Sequence, residues 1–201
     1  MIAALFVETN GCYFGLPNVD PWDEQRDARH YAGPHRVVAH PPCERWGRYW
    51  GGGPSAKVKR IKGSDGGCFG AALASVRRWG GILEHPEASH AWSHFGLNKP
   101  PRKGGWVVAD FCGGWTCCVE QGHYGHRARK ATWLYANGIE LPSLRWGSCG
   151  PKARLDGGWH HGDTERYAGP RLKANETAAT PIEFRDLLLS MVAPLAMARA
   201  G

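Results

Sequence analysis

Three groups in this chain have the types and context to do chemistry together. They are a cysteine closing His40-Pro41-Pro42-Cys43, a glutamate opening Glu84-His85-Pro86, and two arginines in Arg127-Ala128-Arg129. Two consecutive prolines fix φ near roughly −65° and remove two amide donors, so the backbone there cannot continue a ladder or a helix. Cys43 is therefore expected at the tip of a rigid turn, presented rather than packed. The bland alternative is a small buried hydrophobe, the commoner fate of a free cysteine. A presented thiol becomes a nucleophile when nearby cations stabilise its thiolate, and Arg45 and Arg48 follow within five residues. A carboxyl group beside it can hold a polar ring edge, and arginines suit phosphate.

These residues need elements to position them. Arg36 to Ala39 reads as a short buried strand leading into the proline turn. Cys68 to Trp79 reads as a helix: Ala71, Ala72, Leu73, Val76 and Trp79 form an apolar face, Arg77 and Arg78 sit in the last turn, and Gly80-Gly81 ends it. Gly81-Ile82-Leu83 then reads as a strand ending in Glu84. Strand, helix, strand predicts a β-α-β unit with parallel strands, which puts Cys43 and Glu84 on one sheet edge, the carboxyl edge where α/β sheets carry their sites. Ala131 to Ala136 predicts a later strand, with Arg127 and Arg129 leading into it. Further strands are expected at Ile2 to Val7, Cys12 to Leu16 (after the Asn10-Gly11 turn) and Trp106 to Asp110. A closing amphipathic helix is expected over Pro181 to Ala198.

The 201 residues fit a single domain and suffice for a buried core. A net charge of +7, with 28 Gly and 10 Trp, describes a basic, loop-rich protein suited to a polyanion such as nucleic acid. The basic glycine-rich loop 45–67 interleaves Arg45, Arg48, Lys57, Lys59, Arg60 and Lys62 with Trp46, Tyr49 and Trp50, a pattern that holds phosphates and stacks on bases. His40, Pro42, Arg45, Trp46 and Arg48 are accordingly the candidate substrate-binding residues. The segment 140–175 reads as irregular. No basic start precedes the first apolar residues and no apolar run reaches membrane-span length, so the expectation is a cytoplasmic protein with reduced thiols and no membrane partner.

Two other constellations have both a functional and a plain reading. Asp20-Pro21-Trp22-Asp23 offers an acid for ribose hydroxyls and an indole for a base; the same residues make a helix start, with Asp20 as cap and Pro21 at the first helical position. Cys112, Cys117, Cys118, His123 and His126 include metal-ligand types, but their spacing matches no standard zinc finger or ribbon, so zinc is not favoured.

The order Pro42-Cys43, Glu84, Arg127-x-Arg129 resembles the cytosine-5 DNA methyltransferases, with their Pro-Cys, Glu-Asn-Val and Arg-x-Arg motifs. The chain is also similar to short methyltransferase-like proteins carried by bacteriophages, through its Ala-His-Pro-Pro-Cys and Arg-Lys-Ala-Thr-Trp-Leu runs. The likeness spans roughly Val37 to Tyr135. It implies a Rossmann-like, mostly parallel sheet flanked by helices. It implies a Cys43 thiolate that adds to C6 of a pyrimidine, Glu84 holding the base, and Arg127 and Arg129 completing the site. It implies S-adenosylmethionine as donor, DNA as partner and, for a phage-encoded protein, the host cytoplasm. Asn10 and Gly11 stand where the family's cofactor loop follows the first strand, and Asp20 and Trp22 are the other candidate cofactor contacts. The chain departs from the family in Glu44, His85 and Gly125, where the motifs have Gln, Asn and Gln, and in the short span before Cys43. Two alternatives stand beside this reading: a non-catalytic DNA-binding remnant, and a nucleotide-level pyrimidine-modifying enzyme with another one-carbon donor.

Overall fold

The computed structural model describes residues 1–52, 60–150, 152–155 and 169–193. Its centre is one seven-stranded sheet of β1 (Ile2–Leu5), β2 (Val19–Trp22), β3 (Arg36–Ala39), β4 (Gly81–Pro86), β5 (Val107–Val108), β6 (Trp115–Glu120) and β7 (Ala131–Asn137). The spatial order is β2-β1-β3-β4-β7-β6-β5. Pairings from β2 through β4 are parallel; β4–β7, β7–β6 and β6–β5 are antiparallel. The sheet is therefore mixed, which corrects the expectation of a mostly parallel Rossmann-like sheet flanked by helices. Among the described residues helices are few: α1 (Cys68–Trp79), α2 (His90–His94), α3 (Ala174–Ala178) and α4 (Ile182–Val192).

Strand alternation splits the core into two layers. Ala3, Leu5, Val37, Ala39 and Leu83 face α1 and α2 with Phe69, Leu73 and Trp92. Ile2, Ala4, Val38, Ile82 and Leu134 face α4 with Phe184 and Leu188. Adjacent side chains on a strand point to opposite faces, so Cys118 enters the first layer and Cys117 the second.

The β3-α1-β4 unit forms as its sequence predicts, with Val37 opposite Gly81 and Ala39 opposite Leu83. Gly81 is required at that pairing. It adopts φ 142°, and a Cβ there would sit 2.0 Å from the Val37 carbonyl oxygen. Two strand expectations change. Residues 12–15 form turns, and the second strand is Val19–Trp22, where Asp20-Pro21 begins no helix. Pro21 is tolerated because β2 is an edge strand. The closing helix starts as expected and is described to Val192; residues 194–198 of that expectation lie outside the described residues.

The loop 45–67 is pinned at both ends. The Trp46 indole N–H donates to Asp65 (2.8 Å), whose carboxylate also accepts the Gly67 and Phe69 amides, capping α1. Lys57 and Lys59 lie outside the described residues. Among the described residues no helix is long and apolar enough to cross a membrane.

Candidate active site

The carboxyl ends of β1, β3, β4 and β6 and the start of β7 converge on one edge of the sheet. This follows from the register: His40 and Glu84 continue the Ala39–Leu83 pairing, and β7, running the other way, starts beside the end of β4, with Thr132 opposite Pro86. An open cleft of about 1710 Å³ occupies that edge, with His40, Cys43, Glu84, Arg129 and Lys130 in its lining. It exceeds the ~300–1,000 Å³ of a usual small-molecule pocket.

Cys43 is exposed in this cleft. Burial of the sulfur by its surroundings raises its pKa, the Glu84 charge adds to the rise, and Lys130 opposes them without cancelling them. The thiol is thus protonated in the unliganded protein. The cation that acts on it is Lys130, not the expected Arg45 or Arg48.

Glu84 is the hub. Its side chain is 13% exposed, its Oε2 lies 3.1 Å from His40 Nδ1, and its Oε1 accepts from Gln121 Nε2 at 3.1 Å. Burial would raise its carboxyl pKa, but the His40 hydrogen bond and then the electrostatic pull of His40, Lys130 and His85 outweigh it and hold the group below the ordinary range. Glu84 is an anion at neutral pH. His40 Nε2 lies 2.8 Å from the Tyr13 hydroxyl. Gln121 Nε2 also donates to Thr132 Oγ1 at 2.9 Å. Lys130 donates to the carbonyls of Ala178 and Ala179, and burial lowers its pKa against the pull of Glu84 and Cys43. Its φ of 40° is uncommon outside glycine, and such backbone tends to occur at functional sites.

The other candidate residues divide. His40, Pro42 and Arg48 line the cleft. Trp46 is 3% exposed and packs on Phe69, Phe95 and His94, so it anchors the loop and is unavailable for stacking on a base. Arg45 is not in the lining, and its Nη1 is buried without a partner among the described residues. Arg129 reaches the cleft but is paired with Glu120 at 2.5 Å; Arg127 is paired with Glu176. Sequence reasoning passed over Lys130, Gln121 and Tyr13. Only the adjacency of Lys130 to the Arg-x-Arg motif pointed toward it.

Asn10, Gly11, Asp20 and Trp22 do not fit an S-adenosylmethionine pocket. None lines the cleft, the Asp20 carboxylate is taken by the Trp22 indole and by Arg26, and the Arg26 guanidinium covers the Trp22 ring at 4.1 Å. Among the described residues, no three His, Cys, Asp or Glu side chains converge as a metal set would. Burial raises the pKa of Cys118 to about 11 and that of Cys117 further.

No protein-family model, curated protein or solved structure matches this chain.

Proposed function

We propose that the chain is a pyrimidine-modifying enzyme acting on DNA, in which Cys43 adds to C6 of a base whose polar edge is held by Glu84. The observation that carries this reading is the meeting of Cys43, Glu84 and Lys130 at neighbouring strand ends in one cleft. C5 of a pyrimidine is a poor nucleophile. Addition of a thiolate at C6 turns C5–C6 into an enamine-like system; C5 then attacks a one-carbon electrophile, whose leaving group departs, and loss of the C5 proton with elimination releases the sulfur. The unliganded thiol is held protonated partly by the Glu84 charge. A base edge that hydrogen-bonds Glu84 disperses that charge while Lys130 remains, so binding the base also activates the nucleophile. The size of the cleft and the cations Arg48, Arg60, Arg102, Lys130 and Arg171 in its lining suit a phosphodiester strand better than a lone metabolite.

The test is intact-mass spectrometry of the protein with DNA containing a 5-fluoropyrimidine, with and without S-adenosylmethionine. A covalent adduct mapped to Cys43 is the expected result. Tight, salt-sensitive DNA binding without an adduct, unchanged in Cys43→Ala, would replace this reading with a non-catalytic DNA-binding protein.

A further inference from the structure

We infer that His40, by donating to Glu84 at the edge of the cleft, sets that edge to accept a base with a ring N–H donor, as in uracil, over one with a bare ring nitrogen, as in cytosine. This inference rests on the reading that Glu84 faces the base edge. It departs from the cytosine expected by resemblance.

The geometry carries it. Both oxygens of Glu84 already have a nitrogen partner, His40 Nδ1 at 3.1 Å and Gln121 Nε2 at 3.1 Å. A carboxylate so held has lone pairs left, and nothing to donate. The ring N–H of uracil can give it a charge-assisted hydrogen bond directly. The bare N3 of cytosine would set lone pair against lone pair, even if the exocyclic amine donated to one oxygen. Cytosine fits only if one proton is taken up between N3 and the carboxylate, and the groups around Glu84 resist that uptake. His40 follows β3 and is itself held by the Tyr13 hydroxyl at 2.8 Å and by its backbone N–H to the Leu5 carbonyl. Burial keeps Tyr13 protonated, so the hydroxyl can donate to Nε2 and leave the hydrogen on Nδ1 for Glu84. Just before β7, Lys130 adds a charge that favours the anion; Gln121, between β6 and β7, adds a neutral donor; His85, next on β4, adds a smaller favourable pull, and Tyr13 and Cys43 are the other titratable neighbours.

Because cytosine binding then consumes a proton and uracil binding does not, the preference depends on pH. Affinity for cytosine rises by up to about tenfold for each unit of falling pH, while affinity for uracil stays flat. His40 is a positioning residue in this account, and its replacement moves that pH dependence rather than simply weakening binding.

The experiment measures binding of two single-stranded oligodeoxyadenylates that differ only in one central base, cytosine or uracil. Fluorescence anisotropy is read at fixed salt from about pH 5.5 to 8.5. The expected result is a preference for uracil of about tenfold or more at the alkaline end, closing as pH falls. His40→Leu should close the gap even at the alkaline end, and His40→Asn, which keeps a donor toward Glu84, should restore it. A preference that favours cytosine or does not change with pH, in a protein whose discrimination is abolished by Glu84→Gln, would overturn this inference and leave the proposed site standing. Discrimination unaffected by Glu84→Gln, or absent altogether, would overturn both.

Discussion

Replacing Glu84 by Gln should make Cys43 more reactive, although it damages the site. Glu84 is the strongest charge opposing the Cys43 thiolate, and Lys130 the main one supporting it. Deleting a unit charge that acts on a partly solvated sulfur changes the thiolate population by about tenfold at a pH below the thiol's titration. A better-stabilised thiolate is also a weaker nucleophile, with a Brønsted coefficient of about 0.4–0.5, which returns about threefold. The net expectation is that iodoacetamide alkylates Cys43 about threefold faster in Glu84→Gln than in wild type at about pH 7.5. Lys130→Met should slow it by a smaller factor. Peptide mapping follows each cysteine, and Cys112, also exposed, is the internal reference. A slower reaction in Glu84→Gln, or a larger effect from Lys130→Met, would refute the electrostatic account of the cleft.

Other consequences concern the scaffold. Gly81→Ala sets a methyl group 2.0 Å from the Val37 carbonyl oxygen and imposes a side chain at φ 142°, so it should cost ~4 kcal/mol in denaturant unfolding; a loss under about 1 kcal/mol would show that β3 and β4 separate easily. His85 is buried against Phe69 and Trp92, and burial lowers its pKa to about 4. Its folded-state pKa lies below the ordinary ~6.5, so the unfolded chain binds its proton first on acidification. The stability is complete above about pH 6.5, falls as pH drops from there and levels off once pH passes below about 4. At about pH 5 the loss is ~2 kcal/mol. His85→Phe should remove that slope from unfolding curves; an unchanged slope would assign the acid sensitivity elsewhere.

Local pattern exposed half of this architecture. The helix Cys68–Trp79, its Gly80-Gly81 stop and the two strands around it are short-range features, and they suffice to bring Cys43 and Glu84 to one edge. In the antiparallel half, β7 and β5 are legible as strands; β6 is not, and the β4–β7 pairing that joins this half to the sheet sets Pro86 opposite Thr132, a contact no local pattern encodes. β6 contains adjacent cysteines whose spacing matches no standard zinc site, and alternation sends those thiols into opposite core layers. β2 was hidden by Pro21, which an edge strand accepts. In the site, composition marked Trp46 as a stacking residue, but its indole N–H has Asp65 as a partner nineteen positions away, and the ring closes the loop. Lys130 was overshadowed by two arginines that the fold commits to Glu176 and Glu120. Partner choice among charges is set by tertiary placement, which spacing does not encode.

The central claim is that Cys43 adds to C6 and makes C5 nucleophilic. Exchange of the C5 hydrogen with solvent tests it without any donor: the thiolate adds, C5 takes a deuteron from D₂O, the original proton is lost to solvent, and elimination restores the base. Oligonucleotides carrying one cytosine or one uracil, incubated with the protein in D₂O and read by mass spectrometry, should gain one deuterium at C5 with wild type and none with Cys43→Ala. Exchange that persists in Cys43→Ala, or no exchange on either base despite binding in the cleft, would contradict the account.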